Sequence, residues 1–444
     1  MGINNLFKYL KDKHPKVVHF EYLINVCFGK KILVDISSYI YKYKAVYGEW
    51  WLKLFIGFIL FFKRSNLHVV FIFDGQAPKL KEEEQKRRFI EKEKLQDKAS
   101  TLYMDLENYK NTGEKTEFLI DIMKKIIKNR EKKGKSKNDV KVKKLLHSKK
   151  ADKGGNLDKG EESNNEEIYL DVDLLEGKLK TIEGQLFSIT DEDIWNLKTL
   201  LNYFGVSYIQ ANTEAETLAC YLCNQGKGSV VISEDSDTLA YLNENGIAIS
   251  KLKPETGTCN VIYKEEILIE LKMTNKQFLD FCILSGNDYN ENIKLIGPVK
   301  AALHIKKYGS IEKFIKKVND DSKKPVIFDR ILKYKEVRDI FNCKEIPMGR
   351  FYNTDKIPNY DEKKNDNEKK NDNEKNNDNK EKREFQNNKT GKFEIIEKIP
   401  IWEDVDDFTP IFSFLKKLNI KMENEITNAW SEENEIEVEL EFIE

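Results

Sequence analysis

Apolar positions along the chain fall into two alternating patterns. Lys31–Asp35, Val69–Asp74 and Val230–Ser233 are short, nearly unbroken apolar runs, the pattern of strands buried on both faces of a parallel sheet. Around them lie stretches with helical spacing: Ser38 to Phe62, Pro78 to about Asn108, Asp191 to Tyr203, Glu214 to Gln225 and Asn275 to Leu284. A further pair, around Glu291 and from Pro298 to Tyr308, flanks Leu295-Ile296-Gly297. This alternation predicts an α/β fold with a mostly parallel central sheet and flanking helices. Two stretches interrupt it. About Lys132 to Gly184 is rich in Lys, Glu, Asn and Gly, and about Asp355 to Lys392 contains a six-residue repeat, Lys363–Glu368 followed by Lys369–Glu374. Neither offers enough apolar surface to offset its ordering entropy, so both read as loops inserted into a fold that exists without them.

Composition narrows the classes. The 444 residues are 40% hydrophobic and 34% charged, which allows two or three domains and is far from a membrane protein's profile. The longest apolar run, Leu54 to Phe62, is about half the roughly 18 residues of a spanning helix and reads as a buried helix. Six scattered cysteines with no secretory leader point to a reducing, intracellular setting without disulfides. The opening residues lack the Ser or Thr that completes an N-myristoylation signal. Net charge is −1, yet Lys124 to Lys150 holds thirteen Lys/Arg against Glu131 and Asp139. That block reads either as a solvated tail or as a non-specific attractor of phosphates.

The candidate chemistry sits at strand ends. Asp35 ends one apolar run, Asp74-Gly75 follows another, and Val230–Ser233 leads into Glu234-Asp-Ser-Asp237. In an open α/β sheet the carboxyl ends of the strands form the ligand crevice, so Asp35, Asp74, Asp235 and Asp237 are placed to converge there. Mutual repulsion forbids such a cluster without cations. Hard oxygen ligands in that number suit two Mg²⁺ ions, or Mn²⁺ in their place, which predicts a two-metal phosphodiester hydrolase. Any one Asp after a strand is more simply a cap or turn residue; four together weaken that reading. Thr213–Glu216 matches a capping box, with Thr213 capping the next helix and Glu216 returning a bond, although Glu214 and Glu216 would also face the crevice. Asp288 alone is an ordinary turn residue.

The ordered set Met1-Gly2-Ile3, Val34-Asp35, Phe73-Asp74-Gly75, Glu214-Ala-Glu216, Glu234–Asp237, Gly286–Tyr289 and Ile296-Gly-Pro298 resembles the flap endonuclease and xeroderma-pigmentosum-type family of structure-specific 5′ nucleases, over about residues 1–120 and 187–320. The resemblance implies a PIN-like nuclease fold and adds Glu214, Glu216 and Asp288 to the four strand-end acids as metal ligands. It further implies an N-terminal nuclease region (1–80), a helical arch with the basic insert (81–186), an internal nuclease region with a helix–two-turn–helix (187–345), the repeat (355–392) and a C-terminal segment (393–444).

A helix from Pro78 puts Lys81, Gln85 and Arg88 on one face. Glu82–Glu84 could simply pair with them, whereas the resemblance makes Lys81 and Arg88 the cations that hold the scissile phosphate. Tyr41 reads equally as a core aromatic or, by resemblance, as the ring that stacks on the base beside the cut. Gly297 before Pro298 leaves helix-start amides to bind a phosphate, with Lys300 adding charge. By resemblance this is the duplex-gripping helix–two-turn–helix with its monovalent cation, although Leu295 stands where the family generally has another Gly. Cys220 and Cys223 read as packed thiols, and no sliding-clamp signal is evident near the C-terminus. The expected substrate is DNA with a 5′ flap or a single-strand/double-strand junction, in replication or repair, in a nucleus or a viral replication compartment. Two rivals stand beside this reading: a 5′→3′ exoribonuclease of the Xrn type, and a non-catalytic DNA-junction binding protein.

Overall fold

The structure, a computed structural model, describes residues 2–132, 170–290, 293, 295–321, 333–352, 405 and 407–431. Among these, one sheet contains β1 (His19–Tyr22), β2 (Ile32–Asp35), β3 (Val69–Phe73), β4 (Tyr208–Ala211), β5 (Val230–Ile232), β6 (Ile247–Lys253), β7 (Thr258–Tyr263) and β8 (Gly349–Tyr352). Its order is β1-β7-β6-β5-β2-β3-β4-β8. The central run from β6 through β5, β2 and β3 to β4 is parallel. Antiparallel strands flank it: β7 and β1 on one side, β8 on the other.

Each central strand feeds two core layers because its side chains alternate between faces. Leu33, Val70, Ile72, Ile209 and Val231 pack with the Leu6–Lys13, Ala215–Asn224 and Asn275–Ser285 helices. Val34, Val69, Phe71 and Ile232 face the opposite layer, built from the Ile36–Tyr47, Trp51–Arg64 and Asp191–Tyr203 helices. The second layer is strongly aromatic: Phe58 stacks on Tyr39 at 4.7 Å and meets Phe62 edge-on at 4.8 Å. The predicted Ser38–Phe62 helix is thus two helices, broken by a 3₁₀ turn over Gly48–Trp50. Taken together, Ile36–Arg64 is long and apolar enough to cross a membrane, a length that the nine-residue apolar run did not suggest. Phe55, Ile56, Phe58, Ile59 and Phe62 are instead buried against the sheet, as in a core helix.

Residues Met1–Glu84 with Ile189–Glu444 form one compact unit, and Gln85–Ser188 form a second. The second has its own core, where Leu102, Leu106, Leu119, Met123, Leu175 and Ile182 join the Glu82–Thr112, Glu117–Lys132 and Val172–Leu186 helices. The Val172–Leu186 helix corrects the expectation of a loop up to Gly184. Its apolar residues recur at helical spacing between acids and lysines, and the Asp171 carboxylate caps it by accepting from Leu174 N at 3.1 Å. A second correction falls at the predicted Pro78 helix. Lys79–Lys81 is a 3₁₀ turn and the α-helix begins at Glu82, so Lys81 stands in the turn just before the helix that carries Gln85 and Arg88. The basic block beyond Lys132, the element around Glu291 and the repeat lie outside the described residues.

Removing the ring at the centre of the aromatic layer tests this packing. Phe58→Ala should destabilise the protein by about 3–5 kcal/mol, read as a lower denaturation midpoint with the Val69–Phe73 strand region losing hydrogen-exchange protection.

Candidate metal centre

The strand order explains where the acids meet. β5, β2, β3 and β4 are consecutive and parallel, so the residues just after them share one edge of the sheet. Asp35 is the last residue of β2, Asp74 follows β3, Glu214 and Glu216 follow β4, and Asp235 and Asp237 follow β5. Oxygens of Glu216, Asp235 and Asp237 lie within 4.8 Å of one another, and all three side chains are buried. At that separation two carboxylates repel by at least about 3 kcal/mol even at an effective dielectric of about 20.

Three of the acids are positioned by hydrogen bonds from their neighbours. Asp35 caps the Ile36–Tyr47 helix by accepting from Ser37 N and Ser38 N, and takes the Ser233 hydroxyl at 2.8 Å. Asp74 accepts from Ala215 N at 2.8 Å, while Gln210 donates to its carbonyl. Asp235 accepts the amide of Asp237 at 3.0 Å. Burial and the neighbouring charges of Asp74 and Asp235 push Asp35 up to about 7. Burial raises Glu216, with Glu214 adding to it, and burial raises Asp237, with Asp235 adding to it. Asp288, half-buried, adds its charge to the field on Asp235 and Asp237.

Two observations say what this cluster is built for. Asp237 is 0% exposed, yet neither carboxylate oxygen has a hydrogen-bond partner. A buried carboxylate left so is strongly unfavourable unless a cation meets it. The second is Lys81, 8% exposed, whose ammonium pairs with Glu214. Burial pulls its pKa down, but the charges of Glu216, Glu214 and Asp237 more than reverse that and raise it. One lysine against this many acids leaves a net negative, oxygen-rich cavity whose hard donors fit divalent cations.

The capping-box reading of Thr213 is not realised. Glu214 occupies the cap position and makes no side-chain cap bond, while the first helical amide, Ala215 N, goes to Asp74. Tertiary contact thus replaces the local cap and ties the β3 and β4 strand ends together.

Several residues that the sequence motifs contain, but to which no role was assigned, pack around the acids. Gly2 has φ +76°, and a Cβ there would lie 1.9 Å from Asp235 Oδ1 and 2.9 Å from Asp237 Oδ1. Gly75 is equally constrained: a Cβ would lie 2.2 Å from the Ala211 carbonyl. The Ser236 hydroxyl fixes the N-terminal segment by donating to Ile3 O at 3.1 Å. Tyr289 lies beneath Lys81, its ring centroid 4.7 Å from the ammonium. Position in space, rather than residue type, assigns these roles, and the Met1-Gly2-Ile3 motif was the one signal that pointed toward Gly2.

The remaining candidates are dispersed. Tyr41 is 47% exposed on the Ile36–Tyr47 helix. Gly297 caps the Pro298–Tyr308 helix in extended backbone, with open space where a Cβ would stand, and Lys300 is exposed in its first turn. Leu295 adopts φ +68°, a left-handed conformation that costs a branched L-residue about 1–2 kcal/mol, with its side chain in solvent. The two-turn loop, and any cation bound in it, falls partly outside the described residues. Arg88 belongs to the helical second unit.

A parallel sheet carrying a buried polycarboxylate centre at its strand ends, with a lysine set into it, defines a metal-dependent nuclease. The XPG I-region family matches residues 205–288, the stretch that carries Glu214, Glu216, Asp235, Asp237 and Asp288. "Probable RAD2-like endonuclease 076L" of Invertebrate iridescent virus 3 is 32% identical over 330 residues, 70% of this chain and 80% of that one. Flap endonuclease 1 of Scheffersomyces stipitis is 26% identical over 79% of this chain and 77% of its own. The catalytic core of Rad2 in complex with DNA substrate superposes with a TM-score of 0.48 at 16% identity, covering 94% of this chain and 95% of that one. The chain belongs to the RAD2-like and flap endonuclease family, the XPG-type 5′ nucleases.

Two outcomes are expected. Gly2→Ala should abolish Mn²⁺ binding in a spectroscopic titration and also lower the melting temperature, because the added methyl overlaps Asp235 Oδ1, stands 2.8 Å from the Asp237 amide nitrogen and sits on a left-handed backbone. A carboxyl whose folded pKa, about 7 for Asp35, exceeds its unfolded value of about 4 binds more protons folded than unfolded across that interval. The metal-free protein should therefore lose thermal stability as pH rises from about 5 to 7, and millimolar Mg²⁺ should reverse most of the loss.

Proposed function

We propose that this nuclease cuts DNA at 5′ flaps or single-strand/double-strand junctions, with Asp35, Asp74, Glu214, Glu216, Asp235, Asp237 and Asp288 forming its metal centre. The observation that carries the reading is the buried Asp237 carboxylate without a partner inside a cluster of acids. Two Mg²⁺ ions, with Mn²⁺ able to replace them, would activate the attacking water and stabilise the leaving oxygen when bound.

The chain's own residues supply the rest. Lys81 brings a fixed positive charge to the edge of the acid cluster, where negative charge develops on the scissile phosphate. Arg88 is assigned to the same phosphate on the family resemblance alone. The exposed start of the Pro298–Tyr308 helix, with Gly297 leaving its amides uncovered and Lys300 beside them, suits one duplex phosphate. Tyr41, 47% exposed, is assigned on the family resemblance to stack on the base beside the cut. Six free cysteines support a reducing compartment, whether a nucleus or a viral replication site. Membership in an endonuclease family and an intact acid set weigh against the exoribonuclease and scaffold alternatives.

Cleavage of a matched panel of labelled flap, bubble, nicked, blunt and RNA substrates tests the reading, with incision at the flap junction expected and preference for RNA ends contradicting it. Asp237→Asn should lower turnover by orders of magnitude with flap affinity in Ca²⁺ nearly unchanged. Lys300→Ala should instead weaken every duplex-containing substrate and reduce the salt slope of binding by about one.

A further inference from the structure

Behind Glu214 runs a line of buried hydroxyls. Tyr289 donates to Glu214 Oε2 at 2.5 Å, and the Tyr241 hydroxyl lies 2.6 Å from that of Tyr289. A carboxylate only accepts, so its end sets the direction of the whole line. The Tyr289 proton points to Glu214, and the Tyr289 oxygen takes the Tyr241 proton.

The line is rigid. Both tyrosines are buried, and Phe341 stands nearly edge-on to each, 4.8 Å from Tyr241 and 5.4 Å from Tyr289. Asn224 donates to the Tyr241 carbonyl at 2.8 Å. At its open end the line meets Lys81 twice, through Glu214 Oε1 and through the face of the Tyr289 ring. Each Glu214 oxygen accepts one protein donor and keeps a lone pair for a cation, so the carboxylate is fixed without leaving the metal centre. A lysine ammonium on a four-carbon stem has many positions open to it; a carboxylate that cannot rotate leaves few.

We propose that Tyr241 and Tyr289 form a relay that fixes Lys81 through Glu214, with Tyr241 as a positioning residue for the cation that meets the scissile phosphate. The inference deepens the reading of Lys81 given above and rests on it. The Tyr241 amide donates to the Asp237 carbonyl at 3.1 Å, but its hydroxyl bonds Tyr289, so what the hydroxyl contributes passes through Glu214 to Lys81.

Tyr241→Phe removes one oxygen and keeps the ring. In the full-length protein, single-turnover cleavage of a 5′-flap DNA is measured with and without this change, in the parent and in a Lys81→Ala background. Flap affinity in Ca²⁺ and Mn²⁺ affinity by electron paramagnetic resonance are measured alongside. The relay predicts a rate loss of about fivefold in the parent, unchanged flap and Mn²⁺ affinities, and no further loss in the Lys81→Ala background. Tyr289→Phe, one step nearer, should give a larger loss with the same dependence on Lys81, and it serves if Tyr241→Phe folds poorly. An unchanged rate, an equal loss in the Lys81→Ala background, or weakened Mn²⁺ binding would each overturn the relay. A Lys81→Ala enzyme as fast as its parent would overturn the reading of Lys81 itself, an outcome separate from any effect of Tyr241→Phe.

Discussion

Mutual repulsion among carboxylates buried at one edge of a parallel sheet is the constraint on which the rest of this structure depends. Four adjacent strands deliver their terminal acids to the same place because parallel strands end on the same side. The fold would relax if those acids moved apart, and hydrogen bonds restrain three of them. Asp35 is held by two amides and the Ser233 hydroxyl, Asp74 by Ala215 N, and Asp235 by the Asp237 amide. These bonds favour the charged forms while burial opposes them. The balance lies on the side of burial for Asp35, Glu216 and Asp237.

Glycine makes the same point from the steric side. Gly2 brings the N-terminal segment against Asp235 and Asp237, and Gly75 brings the end of β3 against the end of β4, both at separations that a methyl group would forbid. Backbone therefore closes tightly against the acids at Gly2 and joins the ends of β3 and β4 at Gly75. Lys81 supplies one internal positive charge, which lessens the repulsion without cancelling it. A site arranged in this way gives up stability in the metal-free protein and gains a preorganised set of oxygens for cations.

Much of this architecture is legible in the sequence, and the exceptions share a cause. The fully apolar runs of β2, β3 and β5 identify the sheet centre, and an Asp at the end of each marks the crevice without any knowledge of strand order. The outer strands are not legible: β1 and β8 are four residues long, carry His19, Glu21 and Arg350, and become strands only through pairing with β7 and β4. The Val172–Leu186 helix is hidden because its apolar stripe is diluted by a surrounding polar tract. Thr213 shows local grammar overruled by tertiary contact, since Asp74 takes the amide that a capping box would have served. Lys81 reads as one of several lysines on a helix, and its burial against Glu214 and Tyr289 follows only from the meeting of segments more than a hundred residues apart.

The central claim is that cations replace protons on buried acids. Calorimetric titration of the metal-free protein with Mn²⁺, repeated near pH 7 in buffers of different ionisation enthalpy, counts the protons released as metal binds. Because Asp35 lies at about 7 and Glu216 and Asp237 are also raised, binding should expel more than one proton per molecule, and the number should fall as pH rises. Tight binding with no proton release would show that the acids are already ionised in the metal-free protein, and would contradict the account.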